Sequence, residues 1–368
     1  VYTSRRTMQS NIPALIGAVA LAAAAGTADA AGPASFMIRA RVEGELIEGQ
    51  PLAWDSRQMF LLGRDGQLHD FDPADAQDAK KTAKRFVGCS SSEMRGRLLE
   101  EFDQRFEVST TAHFVVVHPR GEWQAWADRL EQLFRSFSHY LSVRGFRPTT
   151  PRTPLPAVVF RNEAEYYKYA AAHGTPLLPG TLGHYDLTTN RIYLFDASGG
   201  SGEAEWSINA DTIIHEAVHQ SAYNVGVHQR LAEQPRWVVE GLAMMFEAPG
   251  VWNAGPQHQQ RDRLNQYRLD YFRRTAQQRT TGWITALVAD DAPFSRATAL
   301  AYAEAWTLSF YLCETRPQLY CRYLARTAQR QSFSAYSSQQ RVADFAAVFG
   351  RDVELLEAQL QRFVEDLK

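Results

Sequence analysis

Two apolar, helix-forming stretches near the middle of the chain carry ionisable side chains at positions that a folded core would otherwise keep apolar. The first is 211–220, DTIIHEAVHQ, and the second is 235–247, PRWVVEGLAMMFE. A buried carboxylate or imidazole is costly unless it is paired, hydrogen-bonded or bound to a metal. These stretches therefore restrict how the rest of the chain can be arranged. His215 and His219 are four residues apart, so at 3.6 residues per turn they share one face of a helix, one turn apart. Two imidazoles so placed can hold one zinc ion, and Glu216 stands beside them to take a proton from a metal-held water. Asp211 or Thr212 is expected to cap the helix start. Glu240 sits inside the second apolar run, about twenty residues after His219. It is expected on a second helix packed on the first, after a loop that contains Gln229 and Pro235. Gly241, lacking a side chain, would let these two helices approach closely. The expected metal ligands are His215, His219 and Glu240, with His228 as a remote alternative.

Taken together, the His-Glu-x-x-His of 215–219 and the Trp-x-x-Glu-Gly-x-Ala of 237–243 resemble the gluzincin zinc metallopeptidases of the peptidase MA clan. That group includes the thermolysin-like proteases and the aminopeptidase N relatives. The fit is better still to a large set of bacterial peptidase-MA-like proteins of unassigned function, which pair an HE-x-x-H-Q helix with a W-x-x-E-G-x-A helix. The resemblance spans roughly residues 114–312 and is strongest over 211–247. It implies a zincin-like catalytic domain, Zn2+ held by His215, His219 and Glu240, and Glu216 as the base in hydrolysis of peptide bonds. There are departures. No G-x-M-E-N segment lies upstream, which points to an endopeptidase and away from capture of a free amino terminus. Met244 stands where thermolysin-like enzymes carry an Asp that steadies a histidine, and Val225 stands where metzincins need a third His.

A further donor usually helps to hold the oxyanion of amide hydrolysis. Related proteins often have a Tyr in a Y-x-x-A-W context, as Tyr302 and Trp306 do here, so Tyr302 is the candidate, with Tyr223 and His184 as weaker ones. The plainer expectation for a Tyr on an amphipathic helix is the core. Glu247 and Glu304 could stand behind the metal ligands, although a surface or ion-paired place is the simpler expectation. In zincins an extended peptide commonly pairs with the edge strand before the HExxH helix. Here that strand would be Arg191–Phe195, and 198–202 (SGGSG) would border the cleft as a lid or a linker.

Arg5 and Arg6, an apolar stretch over 12–26 and the small residues of 27–31 have the three parts of a secretory signal peptide. Residues 1–30 are therefore expected to direct export to the periplasm or beyond, with no membrane span after their removal. Residues 31–88 alternate apolar and polar between turn signals and are expected to form a small β-rich module of about four strands. Residues 89–106 read as a helical connector, and 107–368 as the zincin-like domain. Within it, 111–118 reads as a strand, 123–144 as an amphipathic helix, 157–160 as a strand, 163–172 as a helix, and 183–195 as paired strands. Beyond 210 the pattern is helical. Strands first and helices after give an α+β chain with a mixed sheet.

Charged residues make up 22% of the chain with a formal net charge of −2, and no run of Lys and Arg stands out. A nucleic-acid partner is not expected; the expected partner is a peptide or protein substrate. The 3 cysteines are too few for a disulfide scaffold. Cys313 and Cys321 would be about 12 Å apart on one continuous helix, but Arg316-Pro317 is expected to break it and let them face each other across a turn. Cys89 is left over. The competing expectation is a non-catalytic envelope-binding protein that keeps the zincin fold, against which the presence of Glu216 speaks.

Overall fold

The computed structural model describes residues 34–121, 125–196, 206–253 and 259–367. The expected signal peptide and the 198–202 loop lie outside the described residues. The chain is α+β, with two sheets in its first half and helices after. The first sheet has 5 strands in the order β4-β3-β2-β1-β5: β1 Met37–Val42, β2 Glu45–Trp54, β3 Met59–Gly63, β4 Leu68–Phe71 and β5 Gln77–Ala83. The fifth strand was not legible in the sequence. Its residues, QDAKKTA, are exposed on both faces and show no alternation; backbone pairing with β1 alone makes it a strand. Its two lysines keep this outer edge from pairing with another chain.

The helix α1, Ser91–Glu101, leads into the second sheet, whose order is β6-β7-β8-β10-β9. Its strands are β6 Phe106–Thr110, β7 Phe114–Pro119, β8 Leu155–Phe160, β9 Gly183–Asp186 and β10 Arg191–Phe195. The pairs β7/β8 and β8/β10 are parallel, and the outer pairs β6/β7 and β10/β9 are antiparallel. The helices α2, Ala125–Ser142, and α3, Glu163–Ala172, connect the central strands.

A strand turns alternate side chains to opposite faces, and here both faces are covered. Phe114, Val116, Leu155, Ala157, Val159, Ile192 and Leu194 enter the main core with α2. Val115, Val117, Val158, Phe160, Tyr193 and Phe195 enter a second core with α1.

Two long-range helices carry the ionisable residues of interest: α4, Trp206–Asn224, and α5, Arg236–Phe246. The remainder is helical: α6 Pro249–Trp252, α7 Gln266–Arg274, α8 Trp283–Ala289, α9 Pro293–Arg296, α10 Thr298–Thr315, α11 Pro317–Ala328, α12 Ser338–Phe349 and α13 Val353–Asp366. Arg316-Pro317 does break the helix, but Cys313, Cys321 and Cys89 are free, buried thiols. Cys313 packs on Tyr140, with Sγ 3.3 Å from the hydroxyl. Among the described residues no helix is long and apolar enough to cross a membrane.

Candidate metal centre

The first histidine-bearing helix starts earlier than its residues suggest. Asp211 and Thr212 lie inside α4, so neither caps it. The helix is packed against the sheet through Ile213, Ile214, Ala217 and Val218, all buried. Its inner end is anchored by Gln220, whose Nε2 donates to the carbonyls of Pro156 on β8 and Asn190 in the β9–β10 turn, both at 2.8 Å. Asn224 and Asn190 bond each other through their side-chain amides. The Gln of HExxHQ is therefore a brace that holds the histidine-bearing helix to the sheet.

The second helix is held by its far side. Trp237 is fully buried and stacks on Tyr323, with centroids 5.4 Å apart. Gly241 faces α10, not α4 as expected. A Cβ there would run into Ser309 Oγ and the Ala305 carbonyl, so the close helix approach that Gly permits is between α5 and α10. Pro235 precedes α5 without a side-chain cap. Asp291 substitutes for one, accepting from the Arg236 N–H at 2.9 Å while Arg341 holds the same oxygen at 2.8 Å.

These two helices bring His215, His219 and Glu240 together, and all three are buried. One donor atom from each lies within 4.8 Å of the others. His215 Nε2 is 3.0 Å from His219 Nε2 and 3.3 Å from Glu240 Oε2, and His219 Nε2 is 3.8 Å from the same oxygen. A tetrahedral zinc with bonds of about 2.0–2.1 Å separates its ligand atoms by about 3.3–3.4 Å, which is the mean spacing of this triangle. Glu240 Oε2 is buried and has no hydrogen-bond partner, as fits an atom shaped for a cation. Two imidazole nitrogens and a carboxylate oxygen form a donor set suited to zinc, so the residues fit the ion.

The electrostatics without an ion show the same complementarity. Burial pushes the Glu240 carboxyl up, but the nearby imidazole of His215 and the charges of His219 and Arg236 bring it down to about 2. Burial opposes a charge on His215, but Glu240 and Glu247 overcome it and raise the imidazole to about 10. His219 is pulled down to about 3 by burial and by its neighbour His215. A positive charge is thus favoured between these groups. For Glu216, burial lifts the carboxyl to about 7, with His215 opposing. One of its oxygens accepts from the Tyr185 N–H at 2.7 Å.

Glu247 takes the first of its two expected places, behind a candidate ligand, and does so through an ion-pair contact. Its Oε1 is 2.9 Å from His215 Nδ1, and its Oε2 accepts from Asn265 Nδ2 at 2.6 Å. It supplies the orienting carboxylate that Met244 lacks, one helical turn later on the chain. Glu304 has no part in this cluster; its charged neighbours are Arg279 and Glu357.

Tyr302 is buried near Glu240. Its hydroxyl accepts from Arg236 Nη2 at 3.1 Å, which leaves its own proton free to donate, and Arg236 Nε is 3.5 Å from Glu240 Oε1. Tyr223, one turn beyond His219, stacks on Tyr185 and packs at a tilt against His228. His228 is buried with neither ring nitrogen hydrogen-bonded, and it is outside the ligand triangle. His184 is on the other face of the sheet, bonded to the Tyr166 hydroxyl at 2.7 Å.

The sheet edge is not the expected strand Arg191–Phe195. β10 pairs on both sides, with β8 and β9, so its backbone is spent. The edge is β9, and it is the strand whose Tyr185 amide meets Glu216. A hairpin read from sequence does not reveal which of its arms joins the sheet.

A family model described as "Protein of unknown function (DUF1570)" matches residues 209–334, which take in both ligand-bearing helices and Tyr302. No curated protein matches the chain.

Proposed function

We propose that the chain is a gluzincin-like zinc metallopeptidase, an endopeptidase acting on peptide or protein substrates. The observation that carries this reading is the triangle of His215, His219 and Glu240 with Glu216 beside it on the same helix. When bound there, zinc supplies Lewis acidity and lowers the pKa of a coordinated water to about 7. Glu216 accepts the proton of the attacking water and passes it to the leaving amine; a carboxyl lifted to about 7 is matched to that work near neutral pH. The Tyr185 amide fixes the direction of that carboxylate. Tyr302, steadied by Arg236, donates to the developing oxyanion. An extended substrate lies along β9, adding a strand to the sheet edge.

The test is zinc content and hydrolysis of a broad peptide library by the wild type and Glu216→Gln. One zinc per chain in both, with hydrolysis only in the wild type, is expected, with a loss of about 10²–10⁴-fold. Zinc in both and hydrolysis in neither would point to the envelope-binding reading. A wild type that takes up no zinc, unchanged by His215→Ala, would remove the site altogether.

A further inference from the structure

Arg268 stands on α7, one turn past Asn265, the residue whose amide holds Glu247. The side chain is almost wholly inside the protein, 8% exposed. Its guanidinium forms no ion pair or hydrogen bond with any described residue, and its Nε is sealed from solvent without a partner. Its Cζ lies 5.4 Å from the centre of the Tyr302 ring, while Arg236 Cζ lies 5.8 Å from the same ring. Two guanidinium groups therefore flank the tyrosine beside the metal triangle. Arg236 has its charge answered by Glu240 at 3.5 Å. Arg268 has no carboxylate at such a distance; its guanidinium lies over the rings of Tyr267, at 5.3 Å, and Tyr302, at 5.4 Å, which leave its N–H donors unused. Asp211, one turn before His215 on α4, is close enough to feel its charge, yet no ion pair joins them.

Proteins do not bury an unpaired charge without compensation. A guanidinium presents a planar fork of donors that matches a carboxylate in two-point contact. We propose that Arg268 is the recognition group for a carboxylate of the substrate. This deepens the metallopeptidase reading and rests on it: the preferred substrates are peptides that place a free carboxylate within reach of the metal triangle. That carboxylate has two sources: the side chain of an Asp or Glu near the scissile bond, which keeps cleavage internal, or the C-terminus of the peptide, which would move cleavage to the chain end and replace the endopeptidase part of the reading.

The test is calorimetric binding to full-length Glu216→Gln protein, with zinc and without it. Three probes are used: a short apolar peptide with a free C-terminus, the same peptide amidated, and the amidated peptide with one Glu moved along it. At least one carboxylate peptide is expected to bind about ten- to a hundredfold tighter than the neutral one, and the one that does identifies the source. Arg268→Gln should erase the difference, and Arg268→Lys should keep part of it. Because carboxylates also bind zinc, the decisive arm is the metal-free protein, where the preference must persist. Equal binding of all three probes there overturns the proposal. So does a fall in Tm of more than a few degrees in Arg268→Met, since it would show the guanidinium to be held by the fold; an unpaired buried charge predicts an unchanged or higher Tm. Failure of the protein to bind zinc would end the hydrolase reading, while the metal-free comparison would still decide on Arg268 alone.

Discussion

The sequence offers Glu247 and Glu304 alike as carboxylates that could stand behind the histidines, and nothing in it separates the two. The significance of Glu247 comes from where α5 and α7 place it: one oxygen on His215 Nδ1, the other on Asn265. A carboxylate on the far nitrogen of a ligating imidazole fixes the ring and its tautomer. Glu247→Ala is therefore expected to weaken zinc binding about 10–100-fold, measured by competition with a chelating dye. An affinity unchanged within a factor of two would reduce Glu247 to a bystander. Glu304 is the opposite case, a carboxylate buried away from the triangle of His215, His219 and Glu240. Burial lifts it to about 7 from a reference of 4.5, with Arg279 opposing and Glu357 adding. Below pH 4.5 it is neutral folded and unfolded, and costs nothing. Between those values the unfolded chain releases a proton that the folded one keeps, so stability falls as pH rises and levels off above about 7. Glu304→Gln is expected to recover about 1–3 kcal/mol at pH 8 and nothing at pH 4, by urea denaturation. The same gain at both pH values would refute the assignment.

At the scale of elements, the two ligand-bearing helices are not held by each other alone. The histidine helix α4 is fastened to the sheet by Gln220, and the glutamate helix α5 lies against α10 at Gly241. The metal triangle thus depends on the sheet on one side and the helical half on the other. Gly241→Ala would press a methyl into Ser309 Oγ and the Ala305 carbonyl and push α5 off α10. A cost of about 1–3 kcal/mol follows from overpacking, together with weaker zinc binding as Glu240 shifts. Full stability in a denaturation series would show that the two helices can part without harm. The presence of a glycine beside Glu240 was legible in the sequence; the helix it serves was not, because a missing side chain says nothing about which neighbour fills the space.

At the scale of the molecule, the N-terminal sheet is tied to the same region. Arg230, in the loop between α4 and α5, donates to the carbonyls of Gly66 and Leu187 at 2.6 Å and of Thr188 at 3.1 Å. Leu68 on β4 donates its N–H to Thr188 at 2.8 Å. Phe60 stacks on Phe333 at 4.3 Å, within a small core that Leu231 also joins. The first sheet therefore buttresses the β9–β10 turn and the loop that joins the ligand-bearing helices, which its sequence did not suggest. Arg230→Met removes the side-chain donor from the Gly66 and Leu187 carbonyls, while Thr188 keeps its bond from Leu68, at about 1–3 kcal/mol. Faster amide exchange over 66–71 and 187–190 is the expected readout; protection equal to wild type would show that the clamp contributes little.

The sequence alone determined whatever depends on local period and on the cost of burying charge. Four-residue spacing put His215 and His219 on one helical face, and an apolar run around Glu240 demanded a partner for its carboxylate. The same reasoning found α3 at its observed limits and the break at Pro317. Tertiary structure alone decided what depends on which surfaces meet: β9 as the sheet edge, α10 as the partner of Gly241, Glu247 behind His215, and Arg268 left without a partner. Periodicity is written into a segment by its own residues, whereas register, sheet order and a missing ion pair arise only from distant segments brought together, and no local pattern encodes them.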